Sequence, residues 1–249
     1  MTLQNFFEQN PVCAVAFSGG VDSAVLLHFA ARCARRTAAY FVKTPFQPGF
    51  ELDDAREVTE RLGTHLTVLE FDILSVPEVA ANPSDRCYYC KYALFSKLLE
   101  AARKDGFPIV LDGCNASDDA GDRPGMRALR ELGVRSPLRE CGVAKSEVRR
   151  LAKDAGLPVW DKPSYACLAT RIPAGTPITA RDLERVGLGE KRLMEMGFSD
   201  FRLRLRGDGA LLQVREAQME LARKNLPEIC RDLGETVTLD PTPRVPRET

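Results

Sequence analysis

The sequence predicts an α/β fold, a parallel doubly wound sheet followed by a smaller α+β C-terminal domain. Three observations lead there. Short apolar runs alternate with amphipathic runs through the first half of the chain, the pattern of a parallel sheet covered on both faces. A glycine turn joins the first apolar run to the first amphipathic one. From about Leu157 the texture changes, and Pro158, Pro163, Pro173 and Pro177 punctuate a long irregular passage. The division expected is residues 1–160 and residues 161–249.

Taken in order, Val12 to Phe17 reads as a buried first strand. Val25, Leu26, Phe29 and Ala30 form a helical stripe after it. Ala38 to Val42 reads as strand two, and Glu51 to Leu62 as a helix with Val58 and Leu62 on its apolar face. His65 to Phe71 follows as strand three. Leu94, Leu98 and Leu99 mark a helix ended by Gly106, and Pro108 to Leu111 makes strand four. Ligands of such sheets bind at the carboxyl ends of the strands, so the first turn, Lys43-Thr44 and the loop after Leu111 should converge. After the irregular passage come a helix (180–196), strands at 201–205 and 211–214, a helix (216–233) and a strand near Val237. The tail from Pro241 is expected to fray.

The turn is Ser18-Gly19-Gly20-Val21-Asp22-Ser23. Two glycines let backbone N–H groups approach an anion, and Ser18 and Ser23 add hydroxyl donors. The helix that follows adds free N–H groups and its positive dipole end. These parts make a phosphate cradle. Asp22 would repel phosphate without a cation between them, which points to Mg²⁺. Neither Gly-x₄-Gly-Lys-Ser/Thr nor a Gly-x-Gly-x-x-Gly after the first strand is present, which excludes two better-known phosphate loops.

The chain has 249 residues, 44% hydrophobic and 28% charged, enough for a substantial core. Lys plus Arg balance Asp plus Glu at 35 each, without the basic excess of a protein that grips long nucleic acid. Neither a signal peptide nor a membrane span is read, so the expectation is a cytoplasmic protein without nucleic-acid or membrane partners. Eight cysteines in that setting are core residues, metal ligands or catalysts before they are disulfides. Cys13, Cys33 and Cys230 read as apolar fillers.

Cys87 and Cys90 form a C-x-x-C in Arg86-Cys87-Tyr88-Tyr89-Cys90-Lys91, at the start of a helix whose dipole, with Arg86 and Lys91, favours thiolates. Zinc, an iron–sulfur cluster, a redox pair and coincidence all remain open for one such pair. No second C-x-x-C follows, and the candidate third sulfur is Cys167, in the irregular passage. Asp112, Asp118, Asp119 and Asp122 after strand four suit Mg²⁺ or substrate hydroxyls, and equally suit turns and caps. Arg202, Arg204 and Arg206 alternate with leucines, so a strand would show three guanidiniums on one face. An exposed sheet face would show the same alternation, while their mutual repulsion equally invites an anion, such as a phosphorylated small molecule.

The turn resembles the loop of the PP-loop ATP pyrophosphatases, which split ATP into AMP and pyrophosphate. With RCYYCK, DGCNASD, GDRPGMRALRELGVRSPL, KPSYACLATRIPAG and the alternating-arginine strand, the sequence resembles the LarE family of ATP-dependent sulfur transferases through nearly its whole length. That resemblance implies that a carboxylate of pyridinium-3,5-biscarboxylic acid mononucleotide attacks the α-phosphate of ATP, and that sulfur then displaces AMP to leave a thiocarboxylate. It implies an ATP and pyrophosphate site of Ser18, Gly19, Gly20, Asp22 (with Mg²⁺), Ser23, Lys43 and Arg171. It assigns Arg202 and Arg204 to the substrate phosphate, Lys91 to catalysis and Glu190 to the site lining, with Arg206 where many relatives carry histidine. One branch of the family sacrifices the sulfur of a single cysteine, matching Cys167, and leaves dehydroalanine. Another uses three cysteines, matching Cys87, Cys90 and Cys167, to hold a [4Fe–4S] cluster carrying sulfide, and three thiols here favour it. The resemblance also suggests a homo-oligomer, a hexamer built from trimers.

Three rivals compete: a PP-loop enzyme that thiolates tRNA, an amide ligase like NAD synthetase that needs no cysteine, and a carrier of nucleotide or cluster without catalysis.

Overall fold

The computed structural model describes residues 1–118 and 124–245. Asp119 and Asp122 lie outside the described residues. The chain runs α1 (Leu3–Gln9), β1 (Val12–Ala16), α2 (Val21–Cys33), β2 (Arg36–Lys43), α3 (Gly49–Arg61), β3 (Leu66–Glu70), α4 (Pro77–Ala80), α5 (Arg86–Lys104) and β4 (Val110–Leu111). It continues through α6 (Pro124–Glu131), α7 (Pro137–Glu140), α8 (Lys145–Asp154), α9 (Ala180–Glu195), β5 (Arg202–Arg206), β6 (Gly209–Gln213), α10 (Met219–Leu233) and β7 (Val237–Leu239).

The first sheet has the order β3-β2-β1-β4, with β1 parallel to both β2 and β4 and β2 parallel to β3. The parallel α/β expectation therefore holds. The strands obey a period of two: Cys13, Val15, Ala39 and Phe41 face one apolar layer, and Ala14, Ala38, Tyr40 and Val42 face the other. Helices α1, α2 and α8 cover the first layer with Phe6, Phe7, Leu26 and Val148. Helices α5 and α6 cover the second with Leu98, Leu99, Met126 and Leu129. Cys13 is an inert filler, its thiol pushed up to about 11 by burial. Because β2 and β4 flank β1 on opposite sides, the chain turns in both directions from β1, and the crevice beyond the strand ends opens there.

The second sheet has the order β5-β6-β7, antiparallel then parallel. Leu193 of α9 and Ile229 of α10 pack with Leu203 and Leu212 of its strands. A further apolar cluster joins the two halves, with Phe46 and Ile73 from the first and Leu168, Ile178, Leu183 and Leu205 from the second.

Several expectations need correction. The pattern reading names neither α1 nor α6 to α8. The late helix starts at Met219 after a 3-10 turn, Glu216–Gln218. The tail is pinned as far as it is described. The Arg244 N–H donates to the Val214 carbonyl (2.8 Å), and its guanidinium bonds the Asp200 carboxylate (2.8 Å).

Candidate active site

The turn read as a phosphate cradle lies between β1 and α2. Gly19 has φ +76°, and Gly20 caps α2 with its first-turn N–H groups open. The hydroxyls of Ser18 and Ser23 lie 3.1 Å apart, and Ser23 Oγ accepts from the Ser18 N–H (3.3 Å) while donating to the Gly20 carbonyl (3.0 Å). A Cβ on Gly19 would stand 2.7 Å from the Glu51 carbonyl oxygen, against backbone that cannot swing away. Gly19→Ala is therefore expected to cost about 2 kcal/mol from the left-handed backbone and the clash, and to weaken ATP binding at least tenfold. Isothermal titration and urea denaturation check it, and wild-type values for both would refute the close packing.

Two cavities meet beside this cradle. The first, about 330 Å³, is lined by Ser18 to Asp22, by Phe50, Glu51 and Asp54 of α3, and by Lys162 and Cys167. The second, about 1050 Å³, is lined by Arg202, Arg204, Arg215 and Arg244 with Asp118 and Asp200. Lys145, Pro163, Ser164 and Tyr165 line both.

Cys167, in the irregular passage, lines the first cavity together with the glycine turn. Its carbonyl accepts from the Thr170 N–H (3.0 Å) and hydroxyl (2.8 Å), in a 3-10 turn over Leu168–Arg171. The passage is held rather than loose. Buried Asn82, at φ 55°, donates to the Pro173 (2.8 Å) and Thr176 (2.9 Å) carbonyls. Arg86 donates to the Ala169 carbonyl at 3.1 Å and to Asn82, tying the start of α5 to the cysteine turn. Cys87 and Cys90 occupy the first turns of α5, and Cys90, Tyr165 and Cys167 each pack against the apolar cluster between the two halves. Burial first, then the charges of Cys167 and Cys87, push the Cys90 thiol up to about 12, against the opposing pull of Arg86 and Lys91. Burial also raises Cys167, which Arg86 moderates. Among the described residues, no three His, Cys, Asp or Glu side chains group closely enough to hold a metal ion. The three thiols are electrostatic neighbours without forming a closed ligand set.

Arg202 and Arg204 both enter the second cavity, while Arg206 is exposed at the hairpin end and lines neither. Arg202 donates to the Phe201 (2.6 Å) and Ser164 (3.3 Å) carbonyls. Burial, followed by the charges of Arg171 and Arg244, brings its guanidinium down to about 10, a crowding that an anion would relieve. Arg204 donates to Gln213 Oε1 at 2.7 Å.

Four expected site residues, Lys43, Arg171, Lys91 and Asp112, line neither cavity. Lys43 ends β2 opposite Glu70 in the parallel register and pairs with it at 3.3 Å, both side chains more than half exposed, so it lies outside the cradle. Arg171 lines neither cavity because the 3-10 turn aims it inward. Its Nε meets Glu190 Oε1 at 2.7 Å and its Nη2 meets Oε2 at 3.0 Å, with both residues 1% exposed. Glu190 also accepts from the Leu203 N–H (2.9 Å) and from the Tyr165 hydroxyl, so it shapes the lining from beneath. Lys91 lines neither cavity; its stem packs under Gly125, and its charge acts on Cys90 and Cys114. Asp112 is turned inward, accepting from the Ser136 hydroxyl (2.5 Å) and the Cys114 thiol (2.8 Å). Asp22, proposed to need a metal, has a protein cation beside it, the ammonium of Lys145. Sequence reading missed Lys145, Glu51, Arg215 and Arg244.

Residues 6–118 match the asparagine synthase family. An uncharacterised protein of Synechocystis is 35% identical over 94% of this chain and 86% of its own. The pyridinium-3,5-bisthiocarboxylic acid mononucleotide synthase of Lactiplantibacillus plantarum is 34% identical over 82% of this chain and 75% of its own. The chain belongs to the LarE family of ATP-dependent sulfur transferases. An uncharacterised protein of Methanocaldococcus jannaschii is 30% identical over 72% of this chain and 68% of its own. Among the described residues no helix is long and apolar enough to cross a membrane.

Proposed function

We propose that this LarE-family enzyme uses ATP to adenylylate a carboxylate of pyridinium-3,5-biscarboxylic acid mononucleotide and then replaces the adenylate with sulfur. The observation that carries the reading is the junction of the two cavities. Cys167 faces the phosphate cradle, and Arg202 and Arg204 line the adjoining space. Residues 1–160 would split ATP, and residues 161–249 would hold the acceptor and bring up the sulfur.

The cradle N–H groups and the Ser18 and Ser23 hydroxyls would bind the nucleotide phosphates. Arg202 and Arg204 would hold the mononucleotide phosphate, turning one ring carboxylate toward the α-phosphate. Mg²⁺ bound with ATP would neutralise phosphate charge, and Asp22 is the carboxylate that would hold it. Tyr165 would wall the junction, its position fixed by Glu190. The donor set of Cys87, Cys90 and Cys167 fits a [4Fe–4S] cluster in kind, being three thiols with Arg86 and Lys91 beside them. A cluster there would supply exchangeable sulfide. In a second reading Cys167 surrenders its own sulfur, and of the three thiols it is the one that lines the first cavity.

Anaerobically purified enzyme with ATP, Mg²⁺ and the mononucleotide is expected to release pyrophosphate and form thiocarboxylate. Cys167→Ser is expected to keep pyrophosphate release and lose the thiocarboxylate. Iron and sulfide with unchanged protein mass would mark the cluster route, and loss of H₂S from the protein mass the sacrificial one. Undiminished thiocarboxylate from Cys167→Ser, or no pyrophosphate from wild type, would overturn the proposal.

A further inference from the structure

We infer that Lys145 is a catalytic residue of the adenylylation step, exchanging Asp22 for the α-phosphate where the two cavities join. The inference deepens the reading above and rests on it. Of the four residues that line both cavities, Lys145 alone carries a charge. Its competitors serve one side each. Lys162 lines the first cavity and pairs with Asp54, and Arg149 lines the second while donating to the Trp160 carbonyl at 2.8 Å.

A ring of hydrogen bonds presents Lys145 at the cradle. Its backbone N–H, the first of α8, donates to Ser117 Oγ (2.9 Å), and the Ser117 N–H donates to Asn115 Oδ1 (2.8 Å). Asn115 Nδ2 then donates to Asp22 Oδ1 (2.9 Å), and the Lys145 ammonium closes the ring on Asp22 Oδ2. Asp22 is thus gripped independently by Asn115. Lys145 swings on a long unbranched stem, so it is the partner free to change its anion when phosphate arrives. Its side chain is 13% exposed, shielded enough for its charge to count.

The step it serves gathers like charges. A substrate carboxylate oxygen forms a bond to the α-phosphorus, the bond from that phosphorus to the bridging oxygen breaks, and pyrophosphate leaves with the electron pair. No proton moves, and Lys145 stays an ammonium throughout. A cation in the shared wall lowers the repulsion between carboxylate and phosphate and offsets charge that builds on the α-phosphoryl oxygens.

The test compares wild type, Lys145→Gln and Lys145→Arg. Removing one such preorganised donor is expected to lower kcat for mononucleotide-dependent pyrophosphate release about 100-fold. Loss of a charge-assisted contact is expected to weaken α,β-methylene-ATP binding, by titration calorimetry, about tenfold. Lys145→Arg, which keeps the charge, should recover most of both, whereas a merely structural lysine would show a lowered melting temperature with kcat and affinity unmoved. Lys145→Gln with wild-type kcat and wild-type analogue affinity would overturn the inference. If wild type itself forms no pyrophosphate with the mononucleotide, the substrate reading falls, and the analogue affinity alone decides for or against Lys145.

Discussion

Replacing Glu190 with alanine is expected to destabilise the protein by about 3–5 kcal/mol, the range for removing one partner of a buried ion pair. Three groups lose their acceptor together: the Arg171 guanidinium, the Leu203 N–H and the Tyr165 hydroxyl. At 1% exposure Arg171 has no water to turn to, so its charge stands uncompensated. The double change Glu190→Leu with Arg171→Met removes both charges and should recover part of the loss. The orphaned N–H and hydroxyl would keep about 1–3 kcal/mol of it. Urea denaturation of wild type, Glu190→Ala and the double variant measures both changes. A single Glu190→Ala cost below about 1 kcal/mol would show that this pair does not hold the cysteine turn against β5.

Glu51→Gln is expected to raise stability at mildly alkaline pH. Burial pushes the Glu51 carboxyl from its ordinary 4.5 up to about 7, with Asp54 adding to the rise and Lys162 and Arg171 opposing it. The sign follows from proton counting. Between 4.5 and about 7 the native protein keeps a proton that the unfolded chain has released, so stability falls as pH rises through that window. Above it the ionised, half-buried carboxylate costs about 3 kcal/mol, which the glutamine variant avoids. Below pH 4.5 the two proteins should coincide. Equal stability of both across the whole range would refute the shift. Glu51 also lines the first cavity, beside the glycine turn.

The legible parts of the fold and site were those written in local order. Val12 to Ser23 carries its strand, turn and helix consecutively, and β1, the cradle and α2 follow it closely. Arg202 and Arg204 were legible because a strand's alternation fixes their face. Cys167 was legible as a third sulfur because a long proline-punctuated passage carries it. Ion-pair partners were not legible. Nothing near Arg171 in the sequence indicates Glu190, and nothing near Lys43 indicates that Glu70 will hold it. Lys145 opens a short amphipathic helix that the pattern reading passed over, and only folding brings it to Asp22. The tail reads as polar and proline-rich, yet Asp200 recruits Arg244 from a distance and fixes it.

The strand order carries a consequence for how the enzyme is made. Ala14 of β1 pairs with Val110 of β4, so the central strand has an unpaired edge until the ribosome has delivered everything between them. Lys145 leaves later still. A nascent chain halted before that point would expose a hydrophobic ribbon and a half-built cradle, which makes slow, chaperone-sensitive maturation the natural outcome of this topology.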